Sequence, residues 1–192
     1  MSIIKNLDND YIVEQLIDLS YFKYLKKEEV KSRKTLLKEC LLLEQIESFT
    51  LNEEGFVTTL TKRLFQNTFS QLQQINTFDF PEKIQEMLAK EGVNIKINNT
   101  IKETNGAISL ELNKAHFTLL SSDEKLKKEE IGAIVTKRFA GFLQTALKDA
   151  HSSERIYGIC CNENEFFILL TKDLFIFFME LAIPFQDKPY QI

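Results

Sequence analysis

Tryptophan is missing from this chain, and cysteine, proline, glycine and histidine are scarce: three, three, six and two among 192 residues. Each shortage closes a route. Three cysteines, an odd number with Cys160 and Cys161 adjacent, do not make a disulfide framework. The six glycines stand apart, at 55, 92, 106, 132, 141 and 158, so no glycine-rich phosphate cradle is present and no nucleotide cofactor is expected. The opening MSIIKNLDND lacks the charged-then-apolar order of a secretory signal, which makes a reducing, cytoplasmic setting the expectation.

Long uncharged apolar runs are also missing. The most apolar stretch is RIYGICCNENEFFILLTKDLFIFFMELAIPF, residues 155–185. Phe166 to Phe185 has the length of a spanning helix, but Lys172, Asp173 and Glu180 interrupt it. A charge at mid-span costs roughly 2.5–3.5 kcal/mol on insertion, so this run is read as core and no membrane partner is expected.

Phenylalanine is what the chain has in quantity. Sixteen Phe, within a hydrophobic share of 44%, fill core volume with rings that carry no polar group to satisfy. The length suffices for a sizeable core without disulfides or metals. Net charge is −4, which argues against phosphate binding over the whole surface. The excess is local: residues 151–192 hold six acidic residues against Arg155, Lys172 and Lys188.

The first half carries helical spacing. Asp10 is placed to cap a helix with Ile12, Val13, Leu16, Ile17 and Leu19 inward. Val30, Leu36, Leu37, Cys40 and Leu41 give a second stripe, running to about Glu47. A third helix is expected from Asn52 or Glu53, burying Val57, Leu60, Leu64, Phe65, Phe69 and Leu72. NTFDFP (76–81) breaks the pattern, and a short helix over 82–91 follows, closed by Gly92 in a left-handed cap.

Beyond residue 92 the period changes to two. Asn105-Gly106 and Asn113-Lys114 mark the turns of a meander that sets Leu110 opposite Ile101 and Phe117, Ile108 opposite Leu119, and Leu112 opposite Ala115. Residues 129–150 then form an amphipathic helix with Ile131, Ile134, Val135, Phe139, Phe142, Leu143, Ala146 and Leu147 on one face. In 155–185 a turn at Glu163-Asn164 pairs Cys161 with Phe166, Ile159 with Ile168 and Tyr157 with Leu170. Both faces of that hairpin are apolar, so it is expected to be central and covered on both sides. Thr171-Lys172-Asp173 stops the strand and caps a last helix.

Few residues here announce chemistry. Cys40 before His116 follows the nucleophile-then-base order of papain-like cysteine hydrolases. Cys40, however, falls about ten residues into its helix on the apolar stripe, and His116 pairs across the meander with Glu111, so catalysis is not expected. His151, Cys160 and Cys161 match no zinc spacing, and no metal is expected. Glu28-Glu29, Glu53-Glu54 and Glu129-Glu130 each sit at an expected helix start, where acids favour the dipole.

Two charged features remain. Lys23, Lys27, Lys31, Lys34 and Lys38 form a single stripe if one helix runs through 23–38, a surface for nucleic acid. Glu28 and Glu29 interrupt it and the chain is acidic in total, so a solvated face is the better reading. The second feature is acidic: Glu163 and Glu165 at the tip of the central hairpin, with Asp173 just beyond its second strand. Such carboxylates would steer a basic protein partner.

These readings combine into an α+β fold. A helical N-terminal part (1–80) packs on an antiparallel sheet of about five strands in an α+β part (81–192), with a long helix between meander and hairpin and one compact domain overall. The expected function is non-catalytic protein binding, of the kind bacterial immunity or inhibitor proteins perform, through Glu163, Glu165 and Asp173. The rivals are the Cys40/His116 hydrolase and a nucleic-acid-binding accessory protein using Lys23 to Lys38.

Overall fold

The order of elements is two helices, four short strands, a helix, a three-stranded meander, a long helix, a hairpin and a last helix. The computed structural model describes residues 8–43, 45–47, 49–51, 57–66, 77–78, 82–95, 97–102, 107–112, 115–161, 164–181 and 188–192. The chain divides into two units, one of Met1–Gln66 with Glu154–Gln191 and one built on Asn67–Ser153.

In the first unit, helix α1 (Asn9–Asp18) buries Ile12, Val13 and Leu16. Its cap is Asp8, whose side chain accepts from the Asp10 N–H at 3.2 Å, two residues before the expected capping position. Helix α2 (Lys27–Leu42) buries Leu37, Cys40 and Leu41, and Glu29 accepts from the Lys26 N–H at 2.8 Å at its start. The turn between them matters for the lysines below: Ser20 has a φ of 60°, which no helix accommodates.

The central hairpin joins β8 (Glu154–Cys161) to β9 (Asn164–Thr171). Pairing Cys161 with Asn164 and Ile159 with Phe166 moves the register by two residues from the one expected. A slip of two returns every side chain to its own face, so the two-faced pattern survives it. Tyr157, Ile159, Phe166, Ile168 and Leu170 form one core with Leu16 and Leu37, closed by Leu174 and Phe178 of α5 (Lys172–Glu180). The opposite face buries Ile156, Phe167 and Leu169, with Phe167 against Phe65 at 5.2 Å between ring centroids.

Phe65 belongs to β3 (Leu64–Gln66), which pairs antiparallel with β9 and makes it the middle strand of three. The third helix expected from Asn52 is therefore wrong where the chain is described. β1 (Phe49–Leu51) and β2 (Val57–Thr59) pair with each other, and β3 follows. The reason is tertiary: Leu64 and Phe65 are adjacent, and a strand sends them to opposite faces, one into each core layer beside β9.

The second unit carries β4 (Thr77–Phe78), α3 (Glu82–Lys90), the meander β5 (Ile97–Lys102), β6 (Ile108–Leu112) and β7 (Ala115–Leu120), and helix α4 (Lys128–Asp149). Gly92, with φ 79°, closes α3 as expected, and the Val93 N–H bonds to the Leu88 carbonyl at 2.8 Å. Leu110 opposes Phe117 and Leu112 opposes Ala115, as read. Thr100 rather than Ile101 opposes Leu110, and Ile108 meets Leu120, each beside an irregularity in its ladder. α4 turns Val135, Phe139, Leu143 and Leu147 inward and lays Phe142 against Phe117, 4.8 Å between centroids.

The fold is thus α+β, with N-terminal helices, antiparallel sheets, and a long helix between meander and hairpin. One sheet of about five strands is not what forms: the described strands make sheets of two, three and four. The hairpin gains its third strand from β3, in a segment whose spacing reads as helix, and the meander gains its fourth from β4. No helix among the described residues is long and apolar enough to cross a membrane.

Candidate functional site

The first unit holds two buried ionic anchors. Arg63 and Glu154 are both fully buried and their side chains meet at 2.8 Å. The same guanidinium donates to the carbonyls of Leu169 at 2.7 Å, Tyr21 at 2.7 Å and Ser20 at 2.8 Å. The rings of Tyr24 and Tyr21 stand 4.9 and 5.8 Å from its carbon. Lys62, with φ 61°, turns the chain so that Arg63 enters this position, and the Leu169 N–H returns a bond to the Arg63 carbonyl at 3.1 Å. Lys23 reaches Glu154 from the rim at 3.7 Å.

The second anchor is Glu47, buried beneath the turn 59–62. It accepts from the Leu60 N–H at 2.7 Å, from the Tyr21 hydroxyl at 3.2 Å and from the Thr61 hydroxyl. Tyr21 is shared with the Ile46 carbonyl at 2.8 Å. Burial, and then the negative charge of Glu47, push the Tyr21 phenol well above its ordinary range. Arg63 ties the turn 19–24 to β9, and Glu47 ties it to the turn 59–62. The Arg63 cation faces Glu154 and three backbone carbonyls, and the Glu47 carboxylate faces an N–H and two hydroxyls, so both fix the scaffold.

The exposed charges are arranged differently from the sequence pattern. Glu165 is exposed on β9 opposite Cys160, at the turn end of the hairpin. Glu163 lies outside the described residues. Asp173 is exposed in the first turn of α5, beyond the other end of β9. Thr171 lies six residues along the strand from Glu165, about 20 Å at the usual rise. Glu165 and Asp173 therefore belong to different surfaces. Asp173 shares the outer side of α5 with Ile176, 42% exposed, and Met179, 37% exposed.

The lysines do not share one helix. Lys23 lies in the turn before α2, where it meets Glu154 and the Tyr24 ring, 5.6 Å from the ring centroid. Lys27, Lys31 and Lys34 follow at helical spacing on α2, and Lys38 pairs with Asp10 of α1. Cys40 is buried on the apolar side of α2 beside Leu37 and Leu41. His116 pairs with Glu111 in the ladder of the second unit, as read, and its side chain lies outside the described ones. His151, with φ 55°, ends the turn after α4, and Cys160 is half-buried on β8.

Sequence reasoning missed Arg63, Glu47 and Tyr21. Arg63 in LTKRLF reads as the polar side of a helix, and nothing in the string marks it as buried. One further residue was missed: Tyr190, whose ring lies against Gly158 of β8. Burial, with the charge of Glu165 next, pushes its phenol up. No family model, curated protein or solved structure matches this chain.

Proposed function

We propose that this chain is a non-catalytic protein-binding module of the immunity or inhibitor type. It acts in the cytoplasm on a basic protein, and the turn end of the β8–β9 hairpin forms part of the contact. The observation that carries this reading is the contrast along β9. Glu165 is exposed, and the next five residues, Phe166 to Leu170, are all buried. A carboxylate set at the end of the most enclosed strand is presented with little freedom to lose on binding. Glu163 is its neighbour in sequence. Glu154, counted with the acids of this region, is held by Arg63 in the interior and contributes nothing to steering.

The experiment isolates the partner with the tagged chain, then measures association rates for wild type and a Glu163→Lys, Glu165→Lys variant. The variant should keep its denaturation midpoint and associate on the order of tenfold more slowly at low salt, with the difference shrinking as salt rises. An unchanged rate removes the hairpin end from the contact. A strongly salt-dependent shift of RNA or DNA, lost on Lys27→Glu with Lys31→Glu, would replace this reading with nucleic-acid binding. Rapid thiol labelling of native Cys40 would replace it with the hydrolase.

A further inference from the structure

The hairpin register sets Gly158 opposite Phe167 and Cys160 opposite Glu165. Alternation along the strands places these four residues on one face. At Gly158 that face is covered from the far end of the chain. The Tyr190 ring lies so close that a Cβ on the glycine would sit 2.3 Å from a ring carbon and 2.7 Å from the hydroxyl oxygen. Glycine alone admits a ring there. Two backbone bonds hold Tyr190 in register: Gly158 donates to its carbonyl at 2.9 Å and accepts from its N–H at 2.7 Å. Pro189 before it is buried, and the Lys188 ammonium donates to the Met179 carbonyl at 2.8 Å. Tyr190 is thus fixed at its backbone and against the glycine, yet it stays 41% exposed. Glu165 is exposed on the same face. Burial raises the Tyr190 phenol and the charge of Glu165 raises it further, so the two groups lie within electrostatic reach.

We infer that Tyr190 and Glu165 together form a seat for an arginine side chain of the partner protein. This rests on the reading of the hairpin end as a contact for a basic protein, and it names the group that the contact takes. A guanidinium stacks on an aromatic ring while its N–H groups bond a carboxylate, a combination that suits arginine better than lysine. Tyrosine anchors such contacts well, because it offers a large area with few rotors to freeze. Here the glycine and the backbone bridge have removed much of that freedom before binding. An exposed carboxylate has acceptor sites for more than one donor, so bonds that Glu165 makes within the chain leave room for the guanidinium.

The probe is an acetylated tetra-arginine amide, titrated into the full chain at low salt. Binding is followed by the chemical shifts of the Tyr190 ring protons and the Glu165 amide, which should move along one curve. Tyr190→Phe should keep the affinity, because the ring remains. Tyr190→Leu, read at the Glu165 amide, should lower it about three- to tenfold. Glu165→Gln, read at the Tyr190 ring, should also lower it, with the loss shrinking as salt rises. Tetra-lysine amide should move both signals less at equal concentration. Protection of the Gly158 amide, which the Tyr190 carbonyl accepts from, reports whether the segment stays in place in each variant. Should Tyr190→Leu unseat it, the wild-type ring shifts and Glu165→Gln still decide. A Glu165 amide that moves while the Tyr190 ring does not would overturn the seat and leave the acidic hairpin end standing. Stillness at both positions would remove the seat and count against the hairpin end too. Undiminished affinity in Tyr190→Leu would rule out the ring, and an equal response to tetra-lysine would rule out arginine as the occupant.

Discussion

Arg63 shows how one residue can set the course of three segments. Its guanidinium takes the carbonyl of Tyr21 and shares that of Ser20 with the Lys23 N–H, where a helix continuing from α1 would commit both to N–H groups four residues on. With Ser20 at φ 60°, Lys23 stays in the turn before α2. Removing the cation would take from Glu154 its buried partner in a dry setting, with Lys23 at the rim. Arg63→Met should therefore cost about 3–5 kcal/mol in denaturant unfolding, as breaking a buried pair does. Adding Glu154→Leu should recover part of the loss, because the stranded charge goes with it. A double variant no more stable than the single one would show that the backbone bonds of Arg63, and not its charge pairing, do the holding.

Tyr21 gives a second test at the same scale. Its phenol is raised in the folded chain, first by burial and then by Glu47, while the unfolded chain releases that proton near pH 10. The folded state thus keeps a proton that the unfolded state loses. The stabilisation is complete below pH 10 and declines as pH rises beyond it. Tyr21→Phe should be less stable than wild type at pH 8, because Glu47 and the Ile46 carbonyl lose a donor. The gap between their midpoints should narrow as pH rises past 10. A gap that stays constant up to pH 11 would show that Tyr21 does not titrate with unfolding. None of this cluster was legible in the string: Arg63, Glu47 and Tyr21 stand between 16 and 42 positions apart in unremarkable contexts, and only folding joins them.

Elements were more legible than residues, wherever one rule governed them. Helix α4 followed from a single 3.6-residue period, and the cap of α3 from one glycine. The hairpin followed from apolar residues on both faces, which only a covered strand can use. Its register did not follow, since two pairings two residues apart give the same facing and the string ranks them weakly. β3 failed for the opposite reason: Leu60, Leu64 and Phe65 fit a helical stripe, and the need of β9 for a second neighbour overrides it. The test of this element is Phe167→Ala. Phe167 is 1% exposed and packed against Phe65 in the middle strand, so truncation should cost about 3–5 kcal/mol. A denaturation midpoint near that of wild type would mean that this face of the sheet is not enclosed.

At the scale of the molecule, the first unit is made from both ends of the chain. Arg63 meets Glu154 across 91 residues and the Leu169 carbonyl across 106. Helices α1 and α2 bring Leu16, Leu37 and Leu41 to a core whose other side, from Tyr157 to Phe178, comes from residues beyond 154. Such contacts are reached only after a long loop closes, which slows folding without weakening the product. The N-terminal segment therefore carries half of a core and one partner of a buried ion pair. A fragment of residues 1–66 should show no cooperative thermal transition by near-ultraviolet circular dichroism of its tyrosines. Its helices have local contacts, but isolated helices of this length are marginal without an apolar partner surface. Adding a fragment of residues 154–192 should restore a transition, because it returns β8, β9 and α5 together with Glu154. Cooperative melting of the 1–66 fragment at the midpoint of the full chain would show that the N-terminal segment folds on its own, and that Arg63 and Leu64 dock onto a finished unit.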